Sequence, residues 1–283
     1  MIFKVATYNI HRCVGSDGRK DPERVAAVLA EVGARVVALQ EVESLSGPYS
    51  GSNQARFLAS RLGLQAVYGP TLRRRGEHYG NALLVGGEVL DVQRHELRGP
   101  PGLEPRGALE VKVRLGAPGA SATTEEAEGA VVRVVATHLG LKWRERREQV
   151  RRLGEILKQS QAAGSGPGRR PGSGSGSGND GADDGAKDSA NKEAENASNP
   201  RRELLVVLGD FNAPFFWERG LWRVDWVMGR TPRRRSYPAR FPLFALDRIW
   251  VQPGRALVEV GAHRSRLARV ASDHLPVWAT VQS

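Results

Sequence analysis

Leu204-Leu205-Val206-Val207-Leu208-Gly209-Asp210-Phe211-Asn212 is a run of branched apolar residues that ends abruptly in Gly-Asp-x-Asn. An apolar run with no polar alternation reads as a strand buried on both faces, the kind found inside an α/β sheet. Gly209 frees the backbone to turn. Asp210 and Asn212 then emerge at the strand's carboxyl end, where α/β sheets bind their ligands. A carboxylate placed there can hold a hard cation or a water, and an amide can hydrogen-bond a phosphate oxygen.

The same grammar recurs on both sides of this stretch. Residues 3–8 read as a first buried strand that ends at Asn9. Asp21-Pro22-Glu23 opens a helix, with Asp as N-cap, Pro at the first helical position and an acid in the first turn. Val25, Val28, Leu29 and Val32 give that helix one apolar face, and Gly33 stops it. Residues 36–39 make the next buried strand and deliver Gln40-Glu41 at its end, a βαβ-like start. Residues 53–62 read as a second helix. Residues 82–85, 108–115 and 131–136 read as strands, and the last leads into Thr137-His138-Leu139. A charged helix over about 142–158 carries Val150, Leu153, Ile156 and Leu157 on its apolar side. Near the C-terminus, Leu246-Asp247-Arg248-Ile249-Trp250-Val251 and Val270-Ala271-Ser272-Asp273-His274-Leu275-Pro276-Val277 again set acids and a histidine beside apolar strands.

Composition bounds the remaining choices. The chain has 283 residues, a net charge of +11 and 40% hydrophobic content, enough for one large core. Cys13 is its single cysteine, so no internal disulfide can form. The N-terminus lacks the long apolar segment of a signal peptide, and no apolar stretch is long enough to span a bilayer. These features lead to the expectation of a cytoplasmic protein. The positive charge is mostly arginine, clustered at Arg73-Arg74-Arg75, over 144–152, at Arg233-Arg234-Arg235 and over 264–269. Such clusters read either as attraction for a phosphate-bearing partner or as solvated helix faces.

Residues 162–200 contain no aromatic residue and no Val, Ile or Leu. Such a segment cannot bury enough apolar area to offset its ordering entropy, so disorder is expected at about 162–200. It separates a helix from the strand that carries Asp210. It therefore reads as an insertion in a surface loop of one domain spanning 1–283, since closing a long loop costs little.

Each polar strand end has a plainer reading of its own, such as a turn amide for Asn9, a solvated acid for Glu41 or an ion pair for Asp247 with Arg248. Their recurrence at several strand ends of one sheet system favours a shared purpose. The residues that carry it also match a known family. Thr7-Tyr8-Asn9-Ile10-His11, Leu39-Gln40-Glu41-Val42, Tyr79-Gly80-Asn81-Ala82-Leu83-Leu84, Thr137-His138-Leu139, Gly209-Asp210-Phe211-Asn212, Asp247-Arg248-Ile249 and Ser272-Asp273-His274-Leu275-Pro276 occur in that family's order. In these segments the chain resembles the endonuclease/exonuclease/phosphatase superfamily, which includes deoxyribonuclease I, abasic-site endonucleases, inositol-polyphosphate phosphatases and bacterial sphingomyelinases.

The resemblance implies a four-layer α/β sandwich: two packed, mostly antiparallel mixed sheets flanked by helices, as in deoxyribonuclease I. It implies Mg²⁺ as cofactor, with Mn²⁺ as the alternative hard cation. Glu41 is similar to the principal metal ligand, Asn9 to the metal-associated amide, and Asp273 to a further metal-site acid. By the same resemblance Asp210 orients or deprotonates the attacking water, and Asn212 binds the phosphate. His274 acts as general base or phosphate ligand with Asp247 setting its tautomer, and His138 donates to a phosphate oxygen or the leaving group. In deoxyribonuclease I a glutamate pairs with the histidine that His138 resembles. Glu77 and Glu104 are the candidates for that partner here, and Arg106 reads either as a phosphate contact or as an ion pair.

The expected activity is metal-dependent hydrolysis of a phosphate ester by in-line attack of water, with a nuclease-like phosphodiesterase as the leading form. The alternatives are a phospholipid, sphingolipid or inositol-phosphate headgroup phosphodiesterase or phosphatase, and a scaffold without turnover. The partner is then a phosphate-ester substrate such as a nucleic acid, with peripheral membrane contact as a second option. Phe215-Phe216-Trp217, Leu221-Trp222 and Trp226 read as a membrane-facing or base-stacking surface, with core packing as the plainer expectation. Cys13 lacks the companions of a nucleophilic thiol, and the histidine spacing does not suit a structural zinc.

Overall fold

The computed structural model describes residues 1–44, 53–74, 77–116, 129–164, 203–214 and 219–283. Two sheets stack face to face. The first has six strands: β1 (Ile2–Asn9), β2 (Val36–Ser44), β3 (Gln65–Arg74), β4 (Glu77–Val85), β10 (Leu257–Ala262) and β11 (Val277–Gln282), in the order β10-β11-β1-β2-β4-β3. The second has five, β5 (Glu88–Leu97), β6 (Arg106–Leu115), β7 (Ala130–His138), β8 (Leu204–Asp210) and β9 (Asp247–Gln252), in chain order. Helices α1 (Pro22–Val32) and α2 (Gln54–Leu62) cover the first sheet, while α3 (Trp143–Gly164) and α4 (Trp222–Met228) cover the second. A short α5 (Ala268–Ala271) precedes the last strand.

The strand pattern builds these layers directly. Successive strand side chains point to opposite faces. Leu204, Val206 and Leu208 therefore enter the core between the sheets, with Val5, Val36 and Ala38 of the facing sheet. Leu205 and Val207 turn the other way, onto Leu153, Ile156 and Leu157 of α3. Ala6, Tyr8, Val37 and Leu39 likewise meet Val25, Val28 and Leu29 of α1. With both faces covered, every residue of β8 is buried, as its unbroken apolar run requires.

Local signals act where the sequence put them. Asp21 caps α1 by accepting a hydrogen bond from the Arg24 N–H at 3.0 Å, Pro22 opens the helix, and Gly33 ends it in the left-handed region at φ 64. Asn53 caps α2 in the same way. Strands β3, β5 and β10 are absent from the sequence-based reading. Val89, Asp91, Gln93 and Arg94 along β5 mix polar and apolar residues because this edge strand is mostly solvated, which hides its period. α3 continues through Gly164, so helix occupies the first positions of the segment expected to lack order. The rest of that insertion, from 165, and residues 215–217 lie outside the described residues. Among the described residues no helix is long and apolar enough to cross a membrane.

Two parallel pairs set the geometry. β1 runs parallel to β2 and β7 to β8, while the remaining neighbours are antiparallel. Asn9 and Glu41 therefore leave the first sheet at one edge, and His138 and Asp210 leave the second at its carboxyl edge. β9 runs antiparallel to β8 with Asp247 opposite Asp210, and β11 runs antiparallel to β1 with Val277 opposite Thr7. The starts of β9 and β11 thus bring Asp247 and the Ser272-Asp273-His274 turn to the same edge.

Candidate active site

The two sheet edges meet at an amide. Asn9 Nδ2 donates to Glu41 Oε1 at 3.0 Å and to Asp210 Oδ2 at 3.1 Å, linking a carboxylate of each sheet. Its Oδ1 accepts the His11 N–H at 3.1 Å. Asn9 thus holds two carboxylates in place with all of its polar atoms engaged. Ser272 Oγ donates to the Asn9 carbonyl at 2.7 Å and ties the His274 turn to the same corner.

Backbone strain concentrates here. Among the described residues, the non-glycine positions with positive φ are His11 (45), Arg12 (56), Cys13 (61), Glu41 (57) and Asn212 (48). Arg12, Glu41 and Asn212 line one cleft, together with Asn9, His138, Asp210, Asp273 and His274. Each such conformation costs on the order of 1–3 kcal/mol and persists only where its surroundings enforce it. At Glu41 the cause is an extra β2 residue between the pairs Leu39–Ala82 and Val42–Gly80. That bulge re-aims the carboxylate into the cleft. Opposite it, Gly80 has φ 155 and leaves no room for a Cβ, which would sit 2.7 Å from the Gly69 carbonyl oxygen. Asn212 lies two residues past the end of β8; its N–H donates to Asp210 Oδ1 at 2.9 Å and its Nδ2 to the Leu139 carbonyl at 2.8 Å.

Two imidazoles flank Asp210. His138 Nε2 lies 3.6 Å and His274 Nε2 3.7 Å from Asp210 Oδ2, and all three side chains are buried. Their environments drive them apart. Burial opposes protonation of His274, but Asp247, whose Oδ2 lies 2.8 Å from Nδ1, and then Asp210 outweigh it and push the imidazole up to about 10. At His138 burial prevails, with the Arg106 and His274 charges adding to it against Asp210, and the imidazole falls to about 3. Near neutral pH one ring is a cation and the other is neutral. Tyr237 lies against His274, ring centroids 4.9 Å apart.

The partner of His138 is neither glutamate proposed for it. Arg106 Nη1 lies 3.2 Å from His138 Nδ1, and the same Nη1 donates to Glu104 Oε1 at 2.8 Å. Glu104 therefore acts on the ring only through a guanidinium, while Glu77 lines the cleft without an ion pair to His138 among the described residues. In the sequence Arg106 read either as a phosphate contact or as an ion pair; its place at the start of β6 sets it against the cleft. Tyr79 and Tyr237 also line the cleft, and the phenol of Tyr79 is raised by burial and by Glu41.

The cleft, about 800 Å³, is walled by carboxylates, amides and cations. Asp210, Asp247 and His274 offer ligand atoms within 4.8 Å of one another, a cluster that could hold a metal ion. Asp247 Oδ1 is buried without a hydrogen-bond partner, an atom that a cation or a water would satisfy. Asp247 and Asp210 favour the protonated His274 ring here, so a cation bound through this imidazole would release that proton. Glu41 and Asp273 line the same cleft with oxygens alone, the donor set of a hard cation.

A two-sheet α/β sandwich with acids, amides and two histidines converging on one edge defines a phosphoester hydrolase of the deoxyribonuclease I architecture. The chain belongs to the Endonuclease/Exonuclease/phosphatase family, whose sequence profile matches residues 6–274 and whose members hydrolyse phosphoester bonds. It is 26% identical over 297 aligned positions to YbhP of Escherichia coli K12, an uncharacterized protein, covering 99% of this chain and 96% of YbhP. Its fold is similar to that of the mannosyl-6-phosphatase Bt3783 of Bacteroides thetaiotaomicron, with TM-score 0.62, 15% identity, and 99% of this chain and 100% of that one covered. It is also similar to TDP2 of D. rerio, solved with a single-strand DNA product, with TM-score 0.57, 11% identity, and 100% and 99% covered.

Proposed function

We propose that this chain is a divalent-cation-dependent phosphodiesterase that cleaves nucleic-acid phosphodiesters by in-line attack of water. The observation that carries the reading is one carboxylate, Asp210, set between two imidazoles of opposite protonation state. Environments that push two titratable groups apart assign acid, base and charge-clamping roles.

In this reading Asp210 Oδ2 orients the attacking water and takes its proton, held by Asn9. The His274 imidazolium, fixed by Asp247, is a cation and so serves as a phosphate clamp rather than as the base. Neutral His138 and the Asn212 amide donate to phosphate oxygens, where charge grows in the transition state. Glu41 and Asp273 are the residues that would hold Mg²⁺ or Mn²⁺, which supplies charge stabilisation on the phosphate when bound. Nucleic acid is favoured over a lipid headgroup by the +11 net charge and by the cationic walls beside the cleft.

The test is a panel of plasmid DNA, RNA, phosphoinositides and sphingomyelin with Mg²⁺ or Mn²⁺, using wild type, Glu41→Ala and His274→Ala. Hydrolysis of nucleic acid by wild type and its loss in both variants is expected. Calorimetric titration should show cation binding by wild type and none by Glu41→Ala. Full turnover by both variants would sink the catalytic assignment, and hydrolysis confined to lipids would replace the substrate.

A further inference from the structure

Next to the catalytic cleft runs a second concavity. The cleft shares Leu141, Asn212, Tyr237 and Leu246 with a groove of about 1250 Å³ between the start of α3 and the approach to α4. That groove passes into a hollow of about 540 Å³ and then into one of about 1060 Å³ along α3 and α4. Arg223 lines all three, so they form one continuous track leading away from Asn212. The helices come close enough at Gly154 that a Cβ there would lie 3.9 Å from Arg223 Cβ.

The walls of this track are exposed indoles and cations. Trp143, Trp222 and Trp226 are 59%, 63% and 81% exposed, an unusual state for so large an apolar side chain. Arg144, Arg147, Arg151 and Lys158 share one face of α3 by their spacing. Cations already lie over two of the rings, Arg144 over Trp143 at 5.4 Å and Lys158 over Trp226 at 5.5 Å. The acids along the track are engaged: Glu148 with Arg151, Glu155 with Arg151 and Arg152, and Asp225 with the Trp250 indole N–H. Among the described residues Glu148 is ion-paired with Arg151, while Arg147 and Arg223 act on the same carboxylate only through their charge, so three cations face one acid. Positive charge is therefore left over on a surface studded with flat rings.

We propose that a single-stranded polynucleotide with one phosphodiester in the Asp210 cleft continues along this α3–α4 track. Its bases would stack on Trp143, Trp222 and Trp226, and its phosphates would lie against Arg147 and Arg223. The proposal rests on the phosphodiesterase reading of the cleft. Rings that stack any base, interleaved with backbone-binding cations, are what a strand bound without sequence preference needs. A bilayer fits less well, because a membrane-binding face is a continuous apolar surface, whereas these indoles line hollows between arginines. A polymer also explains the continuity, since a substrate with a single phosphate would use only the cleft.

The experiment uses the full chain with fluorescein-labelled dT12 and rU12, binding read by anisotropy in EDTA. Turnover of bis(p-nitrophenyl) phosphate, which has one phosphate and no flank, is measured separately with Mg²⁺. Trp143→Ala and Trp226→Ala should each raise Kd for the oligonucleotides about tenfold. Arg147→Ala with Arg223→Ala should weaken binding and lower the salt slope by about 1.4. None of these variants should change turnover of the small diester. The two oligonucleotides decide between DNA and RNA. Unchanged oligonucleotide affinity in all variants overturns the track, as does a loss confined to phosphatidylserine vesicles. Track-dependent binding by a protein that cleaves no phosphodiester supports the track and defeats only the reading of the cleft.

Discussion

Arg106 and His138 face each other with a guanidinium nitrogen 3.2 Å from Nδ1 of the ring. A guanidinium can only donate, so Nδ1 must present its lone pair and the ring proton belongs on Nε2. Asn212 Nδ2 lies 3.1 Å from that Nε2 and gives one of its two hydrogens to the Leu139 carbonyl at 2.8 Å; of the two donors that face the ring, the charged guanidinium is the stronger and sets the tautomer. The Nε2–H then faces Asp210 Oδ2, 3.6 Å away, at the wall of the cleft. We predict that ¹⁵N NMR assigns His138 as the neutral Nε2–H tautomer. Arg106→Gln should shift that tautomer balance and lower kcat by about 10- to 100-fold while KM changes less. An Nδ1–H ring in wild type would refute the assignment.

The two histidines should give the folding stability two opposed pH limbs. His138 is held to about 3 in the fold, against an ordinary 6.5. Between those values the unfolded chain binds more protons, so this contribution is complete above 6.5 and is lost as pH falls toward 3. His274 is held at about 10. Between 6.5 and 10 the native state binds more protons, so its contribution is complete below 6.5 and is lost as pH rises. Urea unfolding from pH 4 to 10 in EDTA should show the alkaline decline flattened in His274→Gln and the acid decline flattened in His138→Gln. Unchanged slopes in both variants would contradict the opposed environments.

Gly209 is a steric requirement of the site. Its φ is 152, and a Cβ there would lie 1.9 Å from the Thr137 carbonyl oxygen. Gly209 pairs with Thr137 across the parallel β7–β8 ladder, one step before His138 pairs with Asp210. Gly209→Ala must therefore part the strands that place both catalytic candidates. A loss of about 4 kcal/mol or more in denaturant unfolding is expected, the size reserved for such a clash. A loss below about 1 kcal/mol would show that the strands can yield.

Cys13 sits in the strained turn after Asn9, fully buried, and burial pushes its thiol up to about 12. So little thiolate exists near neutral pH that the group is inert. Iodoacetamide should leave the native protein unlabelled and modify it in urea. Cys13→Ala should keep full phosphohydrolase activity; a collapse in activity with folding intact would bring the thiol back into the chemistry.

Much of the architecture was legible in the chain itself. The unbroken apolar runs at 36–39 and 204–208 read as strands covered on both faces, and Asp21-Pro22 and Gly33 bounded α1 by local hydrogen bonding and dihedral preference. Polar residues at the ends of those runs identified the edge where a site would form, because strand direction and burial are properties of contiguous sequence. What the sequence could not contain was the distance between residues far apart in it. The bridge from Asn9 to Glu41 and Asp210, the guanidinium at His138 and the opposite charge states of the two histidines arise only when two sheets stack and exclude water, since desolvation and neighbouring charge are set by tertiary contacts. The exposure of Trp222 and Trp226 was undecidable for the same reason: an indole in a helix looks alike in sequence whether its face meets a sheet or solvent, and only the packing of α3 against α4 left these outside.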